Sequence, residues 1–362
     1  MKKFKLFSIL SLFFIFLICL GSCTFGDDKK DPTKIEKEDP VIVELQNDIS
    51  EIYKTISKGC VGIYATVGNT GAIGSGVIYK EVNGLYYVVT NNHVIEGMST
   101  IRIYRGGTRY LKATLVGTDP KNDIAVLTFS LNLFGDSDIY VHDIFNYDEE
   151  IISVGQTALA IGCPLSLDNY NTLTTGVVSR VTKRQIQTNA EINPGNSGGG
   201  LFNTAGRLIG INTEKEVFTT SNEDGTIVDI PVEGLGYAIS IEVVKKCIQD
   251  IEAKRTTIDR PILNVEVQTI NRYLPSTNIE VYLKLMPNTY DQALFVAKVN
   301  DGPFKKAHIL AQDMILKVNG IDIVFTTDLT GILDLSLAGD TLEVEIYRPS
   351  TQEVMTFNVV LE

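Results

Sequence analysis

The run Asn193-Pro194-Gly195-Asn196-Ser197-Gly198-Gly199-Gly200 holds one hydroxyl, Ser197, among glycines and a proline that exclude the interior of a helix or strand. Such a run forms a tight loop. Because glycine tolerates positive φ, successive N–H groups can turn to one side and make a nest for an anion. A nucleophilic oxygen beside donors aimed at a developing oxyanion is what acyl transfer requires. The donors here are the N–H groups of Gly195 and Ser197, with that of Asn196 between them. Alone, the run reads equally well as a glycine-rich surface turn, so a base and a group to orient it must be found. Of the three histidines, at 93, 142 and 308, His93 follows the strand-like run Tyr86-Tyr87-Val88-Val89-Thr90 and stands where a strand end enters a cleft. Asp123 closes the turn Asp119-Pro120-Lys121-Asn122 and feeds the apolar run Ile124-Ala125-Val126-Leu127. Taken singly, one is a structural histidine and the other a strand-capping carboxylate. In the order His93, Asp123, Ser197 they match one of the few orders in which a Ser-His-Asp triad occurs. The chemistry is peptide-bond hydrolysis: His93 takes the Ser197 proton and later gives it to the leaving amine, and Asp123 orients the imidazole. No metal or cofactor is called for.

These residues need strands to position them. Val41 to Ser57 carries apolar residues at helical spacing, namely Val41, Leu45, Ile49, Ile52 and Ile56. Short β-type segments follow at 60–67, 74–80, 85–90, 100–104, 110–117, 124–129, 157–161, 173–181, 207–213 and 235–240, separated by turns. That pattern predicts a barrel or sandwich. An acidic insertion over 134–150 reads as an exposed loop without chemistry. Ser240 to Arg255 repeats apolar residues at Ile241, Val243, Val244, Cys247, Ile248 and Ile251, which predicts a helix N-capped by Ser240.

Thr90-Asn91-Asn92-His93-Val94-Ile95, Asn122-Asp123-Ile124-Ala125-Val126-Leu127 and Ile192-Asn193-Pro194-Gly195-Asn196-Ser197-Gly198-Gly199 resemble the three catalytic blocks of HtrA/DegP-type trypsin-like serine proteases. Gly74-Ser75-Gly76, Ala160-Ile161-Gly162-Cys163-Pro164 and Gly236-Tyr237-Ala238-Ile239 resemble that family's connecting motifs. The resemblance spans roughly residues 50 to 362. It implies a mainly β protein: two chymotrypsin-like six-stranded β-barrels followed by a small α+β PDZ domain. It also implies a specificity pocket at Glu191, Ile192 and Tyr237, and a loop Ile262-Leu263-Asn264-Val265 that holds the carboxylate of a bound C-terminal peptide. Glu191 lies six residues before Ser197. A carboxylate facing the pocket favours cleavage after Lys or Arg, whereas an outward-pointing one leaves the family's preference for small aliphatic residues. Asn189, Gly200 and Cys163 depart from the family's usual aspartate, proline and asparagine. Asn264 replaces a usual glycine. The pattern of 266–292 assigns no element.

Lys2, Lys3 and Lys5 precede an apolar run, Leu6 to Leu20, too short to span a bilayer. The run ends in Leu20-Gly21-Ser22-Cys23, which resembles a bacterial lipobox with Cys23 as the lipidated residue. The charged, proline-marked stretch after it reads as a tether. The expected organisation is a signal peptide over 1–22, a tether over 23–40, a protease domain over 41–240, a linker helix over 241–259 and a PDZ-like domain over 260–362. A net charge of −12 argues against nucleic acid and against electrostatic attachment to anionic lipid. Cys60, Cys163 and Cys247, far apart and odd in number, imply neither a disulfide framework nor a metal site. The chain therefore reads as an envelope protein outside the cytoplasmic membrane, held there by its lipid, that cuts misfolded or exported proteins. By resemblance it forms a homotrimer. A protease fold kept as a peptide-binding chaperone, and a regulatory protease with one membrane substrate, are the competing readings.

Overall fold

A computed structural model describes residues 48–107, 110–131, 138–146, 152–221, 227–274 and 279–362, with side chains placed outside 214–232 and residue 279. The signal, Cys23, the tether and the start of the first expected helix lie outside the described residues. Within them that helix is α1, Ile49–Ile56, capped by the Asp48 carboxylate, which accepts from Ser50 N–H. Seven strands follow: β1 Cys60–Val67, β2 Thr70–Val82, β3 Leu85–Thr90, β4 Thr100–Tyr104, β5 Tyr110–Lys112, β6 Thr114–Asp119 and β7 Ile124–Ser130. A single-turn helix, α2, spans Asn92–Ile95. The second set is β8 Thr157–Gly162, β9 Thr172–Val181, β10 Gln185–Thr188, β11 Gly200–Phe202, β12 Leu208–Ser221 and β13 Ile227–Ser240.

The second set closes into a six-stranded barrel in the order β10-β13-β12-β11-β8-β9. The first remains a seven-stranded half-barrel sheet, β5-β4-β1-β2-β3-β7-β6. Period-two alternation builds two cores from each of its strands. Ile78, Val88 and Leu127 fill the inside of the first sheet, while Val77, Val89 and Val126 face the opposite way. There they meet Leu159, Ile161, Phe202 and Ile211 of the second barrel in a shared interface core. That seam carries the site.

Helix α3, Ile241–Lys254, seals the same core with Val243, Val244, Cys247, Ile248 and Ile251. Ser240 occupies its N-cap position but makes no side-chain cap bond. The described part of the acidic insertion, 138–146, is less exposed than expected. Ile144 and His142 are buried, and His142 Nε2–H donates to Ile56 O at 3.0 Å, so this segment packs as a strap under α1.

The C-terminal sheet runs β14-β15-β16-β18-β19, with β17 paired to β16. Its strands are β14 Val265–Asn271, β15 Gln292–Val299, β16 Met314–Val318, β17 Ile321–Asp322, β18 Thr341–Arg348 and β19 Glu353–Val360. Helices α4 (Ile279–Leu285), α5 (Pro303–Lys306) and α6 (Thr326–Leu333) complete it. One sheet face packs Leu294, Val296, Val344 and Ile346 around Phe304 and Leu329. The stretch that the pattern left unassigned supplies β14 and α4. Tyr282, Leu283 and Met286 cover the other sheet face over Ile270 and Phe295, so an irregular sequence here is a second small core.

Candidate active site

Strand register brings His93 and Asp123 together. β3 and β7 are antiparallel neighbours with Thr90 opposite Ala125, so the residues just past the end of one and just before the start of the other share one edge. Asp123 adopts φ 54 after the 3-10 turn Pro120–Asn122, whose Asn122 N–H donates to the buried Asp119 carboxylate at 3.2 Å. Its carboxylate lies 2.8 Å (Oδ2) from His93 Nδ1 and accepts at Oδ1 from His93 N–H at 2.9 Å. Holding the proton on Nδ1 leaves Nε2 as the basic nitrogen. A third donor reaches the carboxylate: Thr213 Oγ1–H, 3.0 Å from Oδ2. Thr213 lies on β12 and its sequence context carries no signal for this role.

Ser197 sits in the loop between β10 and β11. Its hydroxyl donates to Thr213 O at 2.9 Å, so one residue touches both the carboxylate and the serine. The loop is backbone-tight. A Cβ on Gly198 (φ 84) would lie 2.1 Å from Ser75 O, and one on Gly195 (φ 97) 2.2 Å from Cys163 O. Asn196 N–H closes a turn onto Asn193 O at 2.9 Å. That N–H is committed, which narrows the expected oxyanion donors from three to Gly195 and Ser197. Ser75, buried on β2, clasps this loop to the first sheet: its hydroxyl donates to Gly195 O at 2.7 Å and accepts from Cys163 N–H at 2.9 Å. Asn189 fills the role of an acceptor as an aspartate would, taking Val177 N–H on Oδ1 at 2.7 Å.

A cavity of about 230 Å³ is lined by residues 189–192 and 233–236, including Glu191, Ile192, Glu233 and Gly236. Tyr237, expected at the pocket, is not among the residues that line this cavity. Glu191 lines the cavity while its carboxylate accepts from Asn193 Nδ2 at 2.8 Å. After α3, Asn264 takes φ 54, a left-handed conformation that asparagine tolerates better than most residues, and its Nδ2 donates to Asp301 O. Leu263 is buried, Ile262 is exposed, and Val265 begins the edge strand β14.

A sequence family described as trypsin-like peptidase domain matches residues 74–211, and a PDZ family matches 265–361. The chain is 33% identical over 339 residues to the serine protease Do-like HtrA of Bacillus subtilis, covering 89% of this chain and 71% of that protein. It is 34% identical over 364 residues to its Lactococcus lactis namesake, covering 89% and 85%. Among solved structures it resembles the HtrA-type protease AlgW with tripeptide, at TM-score 0.66 and 27% identity over 86% of this chain and 96% of that one. The serine endoprotease from Yersinia pestis aligns at TM-score 0.61 and 26% identity, with the same coverage. With a half-barrel sheet and a closed barrel joined at the seam that carries Ser197, and a PDZ sheet after them, the chain belongs to the HtrA family of serine proteases.

Proposed function

We propose that this protease cuts unfolded or misfolded proteins outside the cytoplasm, with His93, Asp123 and Ser197 as its catalytic triad. The observation that carries this reading is Thr213, whose hydroxyl donates to the same carboxylate that holds His93 Nδ1 and whose carbonyl accepts from Ser197. The Ser197 hydroxyl leaves Thr213 O, gives its proton to His93 Nε2 and attacks the peptide carbonyl. Gly195 and Ser197 N–H groups stabilise the oxyanion, an effect typically worth about 3 kcal/mol per donor. The protonated His93 then delivers its proton to the departing amine, and water releases the acyl group by the same route.

An unfolded chain offers the extended segment that a cleft between two barrels can hold, and the PDZ sheet leaves β14 as an edge where a C-terminal tail can add a strand. The location is supported by similarity to proteins named as periplasmic DegP-like endoproteases. Attachment through a lipid at Cys23 is part of the proposal and rests on the leader sequence.

The test is digestion of casein. Ser197→Ala should lower turnover by roughly 10⁴-fold or more, and a fluorophosphonate should label the wild type at Ser197. Unchanged digestion by the variant would show that another group is the nucleophile. A wild type that binds unfolded protein without cutting it would favour the chaperone reading.

A further inference from the structure

We propose that the hairpin arm formed by residues 217–221 and 227–231 is an exosite, which pairs main chain to main chain with the extended segment of substrate upstream of the cleaved bond. This inference rests on the reading of Ser197 as nucleophile and adds a second, more distant contact to it.

β12 and β13 are each 14 residues long, and only part of that length belongs to the barrel. β10 leaves β13 at the pair Thr188–Gly236, and β11 leaves β12 at the pair Gly200–Ile211. The Ser197 loop follows β12 one residue further: Gly198 N–H donates to Asn212 O and Asn212 N–H to Gly199 O, both at 2.8 Å. Beyond those points the two strands continue as a two-stranded ribbon. Five pairs, from Val217–Pro231 to Ser221–Ile227, keep one unbroken register. The sequence pattern predicted strands over 207–213 and 235–240 alone, so this arm is a finding of the structure.

Two features tie the arm to the site. On β12, the line of partners supplied by β11 and the Ser197 loop ends at Thr213, whose carbonyl accepts from the Ser197 hydroxyl. Among the described residues no strand pairs with that edge from 214 to 221. A substrate carbonyl at Ser197 therefore enters where the barrel's own chain leaves off. Running antiparallel to β12, as β11 does, the substrate residues before the cleaved bond extend out along the arm. Val217 and Ser221 stand four and eight residues along from Thr213. Paired strands advance at the same rise per residue, so the arm faces substrate residues about four to eight places upstream of the bond. On β13, the register opens between Lys215–Gly236 and Val217–Pro231, where residues 232–235 face Glu216 alone. This bulge, with Gly234 at φ 75, supplies Glu233, Gly234 and Leu235 to the cavity wall, so the arm springs from the pocket rim. Each free edge of such a ribbon is a row of N–H and C=O groups to which another chain can add. The occupant that this continuity selects is an extended, unfolded segment recognised by its main chain. A short peptide that fills the pocket does not reach the arm.

The test compares two quenched peptides that share the residues around the cut. One carries about four residues before the bond and the other about twelve, enough to reach Ser221. The wild type should cleave the long peptide with kcat/KM about 10-fold higher, on the scale of a pair of net main-chain hydrogen bonds, and chiefly through KM. Methylating alternate backbone nitrogens of the extension, in one of the two possible registers, should remove that advantage. Exchanging its valines for threonines should not. Replacing 217–231 by Asn-Gly, a two-residue hairpin turn, should leave the short peptide near its wild-type rate and bring the long one down to it. If the trimmed chain does not fold, Thr219→Pro and Thr220→Pro take its place. Ladder alternation turns one of those two N–H groups to the free edge, so one of the prolines should lower the advantage. Equal kcat/KM for both peptides in the wild type, or an advantage that survives methylation in both registers, would overturn the proposal. So would an advantage that survives loss of the arm or both prolines. Sedimentation that shifts with the arm while cleavage ignores peptide length would assign the arm to pairing between copies of this chain, and would overturn it too. Fluorophosphonate labelling is the control: failure to label Ser197 overturns the nucleophile and the exosite together, whereas a labelled enzyme indifferent to length overturns the exosite alone.

Discussion

Asp123 shows how much backbone is arranged for one carboxylate. It adopts φ 54, where aspartate is among the few non-glycine residues commonly found, and its own carbonyl is met by Asn91 Nδ2 and Asn92 N–H. The neighbouring asparagines in the His93 block thus fasten the Asp123 turn. The block can be read in the sequence, but this mutual support cannot, because the partners lie 32 residues apart. Thr213 is the extreme case, a threonine with no motif that strand register brings to the Asp123 carboxylate and the Ser197 hydroxyl. Glu191 is the opposite case, conspicuous in sequence and ambiguous until placed. With Glu191 and Glu233 both lining the cavity, cationic side chains should gain there. Glu191→Gln should lower the ratio of cuts after Lys and Arg to cuts after Val by about 5-fold, the scale of a partly exposed ion pair near 1 kcal/mol. Mapping the cleavage sites of a denatured protein reads the ratio, and an unchanged ratio means the carboxylate serves Asn193 alone.

At the scale of elements, most strands of the first sheet could be delimited from alternation and turns, among them β1, β3 and β4. β10 and β11, which flank the Ser197 loop, could not. They are four and three residues long, too short to show a period. The strap over 138–146 escaped for another reason: its acidic composition masks two buried side chains. His142 lies against the Phe202 and Tyr140 rings, its centroid 4.8 Å from each, and a Cβ on Gly59 would lie 2.5 Å from its imidazole. Burial pushes its pKa down from 6.5 to about 4, against the opposing pull of its bond to Ile56 O. With the folded value depressed, the unfolded chain binds the proton more readily. The stabilisation is complete above pH 6.5 and drains away as pH falls toward 4. Between pH 7 and 4.5 the loss should be about 2 to 3 kcal/mol. His142→Gln, whose amide can still donate to Ile56 O, should show a shallower decline over that interval. Denaturant titrations at the two pH values check it, and parallel declines would remove His142 as the cause.

At the scale of the molecule, Gln46 to Glu362 cluster as one compact unit, and charges tie the PDZ sheet to the barrels. Arg260, 2% exposed, reaches Asp119 Oδ2 at 2.6 Å and Asp250 Oδ2 at 2.9 Å, and donates to Ser336 O at 3.1 Å. Asp334, just past α6, pairs with Arg184, and its carbonyl accepts from Asn122 Nδ2 at 2.6 Å. Asn122 precedes Asp123, so the C-terminal domain leans on the turn that sets the Asp123 carboxylate. Arg260→Met should cost about 3 to 5 kcal/mol, because it leaves Asp119 buried without its cation and Asp250 with Lys246 alone. A second change, Asp119→Asn, should recover part of that loss. Thermal unfolding measures both, and a wild-type midpoint for Arg260→Met would show that the pair contributes little.

The sequence by itself determined the chemistry and the class of fold. A hydroxyl in a glycine nest, a histidine after a strand and an aspartate before one are local facts, and alternation with turns makes barrels. What only the tertiary structure decided is which atoms meet. Strand register put Thr213 on the carboxylate, and contact between a strand and a loop put the Ser75 hydroxyl on Gly195 O. The same folding buried Arg260 between two acids. Each of these depends on chain segments distant in sequence, and the period of a strand or the composition of a loop carries no information about its partner across the seam.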